Sequence, residues 1–343
     1  MKRCVGIRAD GNMTVGMGHV MRCRTIAMAL AGENISVLFF VADESTAVIV
    51  KEWGFPVVVL HSDYAKMEEE LSVLQKELLQ NQVDVLLVDS YFVTQTYLKA
   101  VREITKVYLM DDMGREAFLV DGLINYNIYG KMLPYEQLYE KNVKLLLGTE
   151  YAPVRPEFFE KDYKPADNGF RILITMGGSD SLHIAKDLTE KLLESQTDFE
   201  LKVVCGVFCA SYPKLQQLAE KEKRLSVYTN VKDMASLMRE CDLAVAAAGT
   251  TLYELCAVGV PTITCFYVDN QEKAAKSFGT QTKIYNAGDW RENSQEVLSR
   301  IVEKIDLLMH DRKLLKEISE NMRQMVDGKG AKRIAEEIIK AWD

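Results

Sequence analysis

The chain predicts an α/β fold of two doubly wound parallel sheets, each covered by helices. Three observations carry this. Short apolar runs alternate with helical patterns through both halves of the chain. Several runs are continuous, as in Asp84-Val85-Leu86-Leu87-Val88-Asp89, the pattern of strands buried on both faces. The length of 343 residues exceeds one ordinary core, so two domains are expected.

In the first half, strands are expected at 3–7, 36–41, 57–60, 83–88, 106–110, 122–125 and 143–147. Helical patterns include 67–81 and 96–104. The stretch 151–169 carries Pro153, Pro156, Pro165 and Gly169 among charged residues, with no sustained period, so the sheet-forming pattern is interrupted there. The second half restarts the alternation. Strands are expected at 170–176, 201–206, 225–228, 243–247 and 262–266. Helices are expected at 184–196, 214–223, 231–239, 251–258, 271–279, 296–309, 312–325 and 331–342. The predicted organisation is an N-terminal domain 1–155, a linker 156–169, a second domain 170–330 and a closing helix 331–343.

Composition excludes several classes. Hydrophobic content of 48% and charge of 27% describe a soluble globular chain. A formal net charge of −8 argues against nucleic acid as a partner. No segment approaches a membrane span or a signal-peptide core, and the seven cysteines lie mostly in apolar runs, so reduced thiols and a cytoplasmic location are expected. Cys205 and Cys209 lack a second Cys/His pair, and no metal is expected.

The opening is the most chemically pointed stretch. An apolar run through Arg8-Ala9-Asp10 leads to Gly16-x-Gly18-His19-x-x-Arg22, where a helical pattern begins. Two glycines let backbone N–H groups approach a ligand, and a helix N-terminus favours anions. The third glycine of a dinucleotide fingerprint is missing, and Arg22 comes where the helix would begin. A tight strand–helix turn with an incidental histidine is the plain alternative. Because Arg8, Asp10 and Arg22 flank it, His19 is read as a general base, with Asp10 orienting the imidazole. Gly177-Gly178-Ser179-Asp180 follows a predicted strand and reads equally as a phosphate turn or as a loop needing glycine for positive φ. Gly249-Thr250-Thr251, with Glu254 one turn on, reads as a diphosphate and ribose site or as a capped helix with an acid near its positive end. Asn270-Gln271 offers sugar-binding amides or a helix cap. Asp89-Ser90-Tyr91 puts a hydroxyl at a strand end. Asp111-Asp112 suggests a metal pair, but adjacent aspartates after a strand often cap the next element.

Together with Leu147-Gly148-x-x-Tyr151-Ala152-x-x-Arg155-x-Glu157-Phe158, these motifs recur in an order that resembles the UDP-2,4-diacetamido-2,4,6-trideoxy-β-L-altropyranose hydrolases of pseudaminic acid biosynthesis, and their spore-coat polysaccharide relatives. The match covers about residues 3 to 280. The second half also resembles MurG-type glycosyltransferases. The resemblance implies a GT-B architecture, two Rossmann-like domains facing across a cleft. It implies cytosolic, metal- and cofactor-independent release of UDP from a UDP-sugar, by water attack at the anomeric carbon with inversion. His19, Asp10 and Tyr91 are the expected catalytic residues. Gly18, Arg22, Arg155, Asn270 and Gln271 are expected at the substrate, and Gly177, Gly178, Ser179, Gly249, Thr250, Thr251 and Glu254 at the nucleotide. A monomer is expected. A GT-B glycosyltransferase and a non-catalytic nucleotide-sugar-binding subunit are the alternatives.

Overall fold

The computed structural model describes residues 3–11, 16–160, 163 and 169–342. The chain forms two compact units, Met1–Pro153 with Lys329–Asp343, and Val154–Gly328. Within the expected linker, Pro156–Phe158 forms a single 3-10 turn, while 161, 162 and 164–168 lie outside the described residues.

Among the described residues the first unit has seven parallel strands: β1 (Cys4–Ala9), β2 (Ser36–Val41), β3 (Val57–Val59), β4 (Val85–Asp89), β5 (Lys106–Met110), β6 (Gly122–Asn125) and β7 (Lys144–Leu147). Their order is β3-β2-β1-β4-β5-β6-β7. The helices are α1 (Gly18–Gly32), α2 (Glu44–Glu52), α3 (Leu71–Gln80), α4 (Gln95–Arg102) and the one-turn α5 (Tyr135–Leu138). Val5, Ile7, Phe39, Phe40, Leu86 and Leu87 are completely buried, as continuous apolar strands require. After β3 the chain crosses back to place β4 on the other side of β1, with Ala9 paired to Asp89. This is the topological switch point, where the carboxyl ends of β1 and β4 splay their loops apart and leave a crevice.

The second unit repeats the plan: β8 (Arg171–Thr175), α6 (Ile184–Leu193), β9 (Glu200–Cys205), α7 (Tyr212–Ala219), β10 (Leu225–Thr229), α8 (Met234–Arg239), β11 (Leu243–Ala247), α9 (Thr251–Val258), β12 (Thr262–Phe266), α10 (Asp269–Gln281), β13 (Tyr285–Asp289), α11 (Ser294–Met309) and α12 (Arg312–Arg323). Its parallel strands run β10-β9-β8-β11-β12-β13. Asp233, Asn293 and Asp311 cap α8, α11 and α12 through side-chain oxygens. Gly259, at φ +87°, ends α9 in the left-handed conformation that glycine adopts without strain. The last helix, α13 (Gly330–Lys340), belongs to the first unit and packs on α1. Among the described residues no helix is long and apolar enough to cross a membrane.

Candidate functional site

In the first unit the site grows from the β1–β4 switch point. His19 and Arg22 lie three residues apart near the start of α1, on one face of the helix. Both reach Asp89, the last residue of β4. His19 Nδ1 lies 2.6 Å from Asp89 Oδ1. Arg22 forks onto the same carboxylate through Nε and Nη2, each at 2.6 Å. Burial alone would raise the Asp89 pKa, but Arg22 and His19 outweigh it and hold the carboxyl well below the usual carboxylate range. An ionised Asp89 only accepts, so the His19 Nδ1 facing it donates, and Nε2 is the ring nitrogen turned away from Asp89. Cys23 also sits against Asp89, and burial pushes its thiol well up. The cleft is lined by Asp10, His19, Tyr64, Asp89, Ser90, Tyr91 and Phe92.

Asp10 shares this cleft but does not orient His19, as the sequence had suggested. Its Oδ1 accepts the Ala42 N–H at 2.7 Å and its Oδ2 accepts from Arg8. The reason is Arg8, which is wholly buried and must be neutralised locally. Arg8 is gripped on its other side by Glu70 at 2.6 and 2.9 Å, and Glu70 also accepts from Ser62 and Tyr97. Asp10 is thus committed to a buried ion cluster, and Asp89 is the carboxylate that contacts His19.

Tyr91 packs edge-on against His19, with ring centroids 4.6 Å apart, and its hydroxyl donates to Asp112 Oδ2 at 3.1 Å. Asp112 also accepts from Arg22 Nη1 at 3.0 Å and Asn127 Nδ2 at 2.7 Å. Arg22, expected at the substrate, is therefore buried with Nε, Nη1 and Nη2 all held by the protein, since two buried carboxylates need its charge. Gly18 opens α1 and is half-buried. Asp111 caps the following turn through the Met113 and Gly114 amides. Sequence reasoning quoted Asp89 and Asp112 in its motifs but gave neither a role at the site. For Asp89 the available signal was a carboxylate closing an interior apolar strand, a placement that is costly without a partner.

In the second unit, three glycine-containing or amide-bearing turns follow β8, β11 and β12, which are neighbours in the sheet. After β8, Gly177 has φ +81°, and Asp180 accepts from the Ile184 and Ala185 amides at 2.9 and 3.0 Å. The α6 N-terminus is thus capped by the chain's own carboxylate, which leaves Gly177, Gly178 and Ser179 as the exposed or half-exposed part of that turn. After β11, Gly249, Thr250 and Thr251 lead into α9 with no side-chain cap at Thr250 among the described residues. A Cβ at Gly249 would meet nothing within 4 Å, so the backbone is approachable. Glu254 Oε1 accepts from Arg155 Nη2 at 3.1 Å. Burial raises the Glu254 pKa, and Arg155 opposes this. The structure thus pairs an expected substrate residue with an expected ribose residue. After β12, Gln271 Oε1 accepts the Tyr267 N–H at 3.2 Å, so its carbonyl serves as a local cap, while Asn270 is exposed. All seven cysteines are buried and none is in a disulfide.

Residues 171–338 match the profile of the glycosyltransferase family 28 C-terminal domain. Over 342 residues, 96% of both chains, this chain is 27% identical to the spore coat polysaccharide biosynthesis protein SpsG of Bacillus subtilis. It is 23% identical to the UDP-2,4-diacetamido-2,4,6-trideoxy-β-L-altropyranose hydrolase of Campylobacter jejuni, over 78% of this chain and 93% of that one. The crystal structure of Acinetobacter baumannii MurG superimposes with a TM-score of 0.71 at 17% identity, covering 99% of this chain and 100% of that one. The fold is GT-B, built of two Rossmann-like parallel-sheet units.

Proposed function

We propose that this protein hydrolyses a UDP-linked diacetamido-trideoxy sugar, releasing UDP and free sugar with inversion at the anomeric carbon. The observation that carries this reading is the His19–Asp89 pair at 2.6 Å, which fixes the imidazole through Nδ1 and turns Nε2 to the cleft, where in this reading it accepts a proton from water. The likeness to the Campylobacter jejuni hydrolase supports the same chemistry. In this reading His19 is the general base, with Asp89 in the orienting role, and Tyr91 and Asn270 contact the sugar. Gly249, Thr250 and Thr251 with the α9 amides, and Gly177, Gly178 and Ser179, stabilise the diphosphate leaving group. Backbone amides aimed at developing charge supply this stabilisation electrostatically. Glu254 binds the ribose hydroxyls, with Arg155 beside it.

A glycosyltransferase is the second reading, favoured by the family 28 match over 171–338. It uses the same base to activate a sugar hydroxyl. The experiment is UDP release from UDP-2,4-diacetamido-2,4,6-trideoxy-β-L-altrose without an acceptor. Replacing His19 by Ala or Asn is expected to lower turnover by about 10²–10⁴ while UDP binding persists. Release that needs an acceptor selects the transferase. Wild-type turnover in the His19 variants removes the base assignment.

A further inference from the structure

His19, Asp89, Arg22, Asp112 and Tyr91 form a closed ring of contacts. His19 holds Asp89, Arg22 forks onto Asp89 and reaches Asp112, Asp112 takes the Tyr91 hydroxyl, and the Tyr91 ring returns edge-on to His19. Apart from the imidazole, the ring holds two carboxylates and one guanidinium. Arg22 is only 7% exposed and spends its nitrogens on Asp89, Asp112 and Tyr126. From this arrangement we infer that Arg22 and Asp112 are positioning residues that set the protonation of His19 in opposite directions. Arg22 draws on the Asp89 charge and so disfavours a second proton on the imidazole. Asp112 draws on Arg22 and limits that effect.

The other groups around His19 are consistent with this division. Asp10 faces it from the end of β1 and is offset by Arg8, which Glu70 also holds. Tyr64 faces it from the loop after β3, and Tyr91 from the loop after β4. Cys23, on α1, contacts Asp89 with a thiol that burial keeps protonated. Tyr126 touches Arg22 at 3.1 Å, and burial pushes its hydroxyl up to about 12. Arg22 and Asp112 are therefore the charged members of the ring that act on His19 through Asp89.

The inference rests on the reading of His19 as the base, but its test needs no substrate. The full chain, labelled in its histidine rings, is titrated by NMR, with the His19 signal identified by its loss in His19→Asn. Arg22→Met is expected to raise the His19 titration midpoint and Asp112→Asn to lower it, the Asp112 shift being the smaller because it acts through Arg22. Arg22→Lys keeps the charge and returns the titration toward wild type. The double variant Arg22→Met/Asp112→Asn removes one charge of each sign and does the same. If Arg22→Met does not fold, Asp112→Asn and Arg22→Lys decide. Shifts of the same sign, or an unmoved His19 titration in Asp112→Asn, overturn the inference. In an active enzyme the acid limb of kcat/KM against pH moves with the NMR value. A protein that releases no UDP but shows opposed shifts loses the hydrolase reading and keeps this one.

Discussion

A buried aspartate is stable as an anion only when its environment replaces the water it has lost, and Asp89 does this with a guanidinium fork and an imidazole. Its pKa in the folded chain lies below that of an unfolded aspartate, about 3.9. The sign follows from linkage. The stability Asp89 contributes is fully present above the unfolded pKa and is lost as pH falls below about 4 toward the depressed folded value. Asp89→Asn is therefore expected to destabilise the protein near neutrality, with the gap narrowing as pH drops below about 4. Urea unfolding midpoints of both proteins at several pH values measure this, and a constant gap across the range contradicts it. At this scale the sequence was legible in part. His19, between glycines at the start of an apolar helical pattern, stood out. Its partner did not, because a contact over 70 positions is decided by the pairing of Ala9 with Asp89, which no local pattern encodes. Asp10 was the nearer carboxylate in sequence, but Arg8 claims it.

Among the elements, strands buried on both faces were read nearly to the residue, since continuous apolar runs leave little choice of state. The strand β13 was not foreseen. Its sequence Tyr-Asn-Ala-Gly-Asp is poor in β-formers, only Ala287 is buried, and it lies at the sheet edge, where pairing with β12 imposes the extended form. The turns carry the sharper test. A Cβ at Gly206 would lie 2.2 Å from the Gly178 carbonyl oxygen and 2.5 Å from that of Gly177, so the turn after β9 presses directly on the turn after β8. Gly206→Ala is expected to cost about 1–3 kcal/mol, as overpacking does, and, in the proposed function, to weaken UDP binding by displacing Gly177 and Gly178. Gly249→Ala meets nothing within 4 Å and is expected to leave stability within about 0.5 kcal/mol. If a diphosphate approaches that backbone, the same variant still loses UDP affinity. Thermal melts and calorimetric UDP titrations of the two variants separate the roles. Unchanged affinity in Gly249→Ala removes that residue from the nucleotide site.

For the whole molecule, the chain leaves the first unit after Pro153 and returns at Lys329 to complete it. The last helix was expected from the sequence over 331–342, but a helical pattern does not say which element covers it. The structure gives α1 as the partner. Gly330 enters so closely that a Cβ there would lie 2.2 Å from the Ala152 carbonyl oxygen. Ile334, Ala335 and Ile338 are completely buried, and Glu337 pairs with Lys144 at 2.9 Å. The two isoleucines alone are worth about 1.5–3 kcal/mol each in burial. The helix that carries His19 and Arg22 is thus supported by the chain's last turns. Removing residues 329–343 is expected to loosen α1 specifically. Amide hydrogen exchange should show lost protection in α1, while β8, β11 and β12 keep theirs, and, in the proposed hydrolase, UDP binding should outlast UDP release. Protection lost first in the second unit would contradict the assignment of α13 to the first.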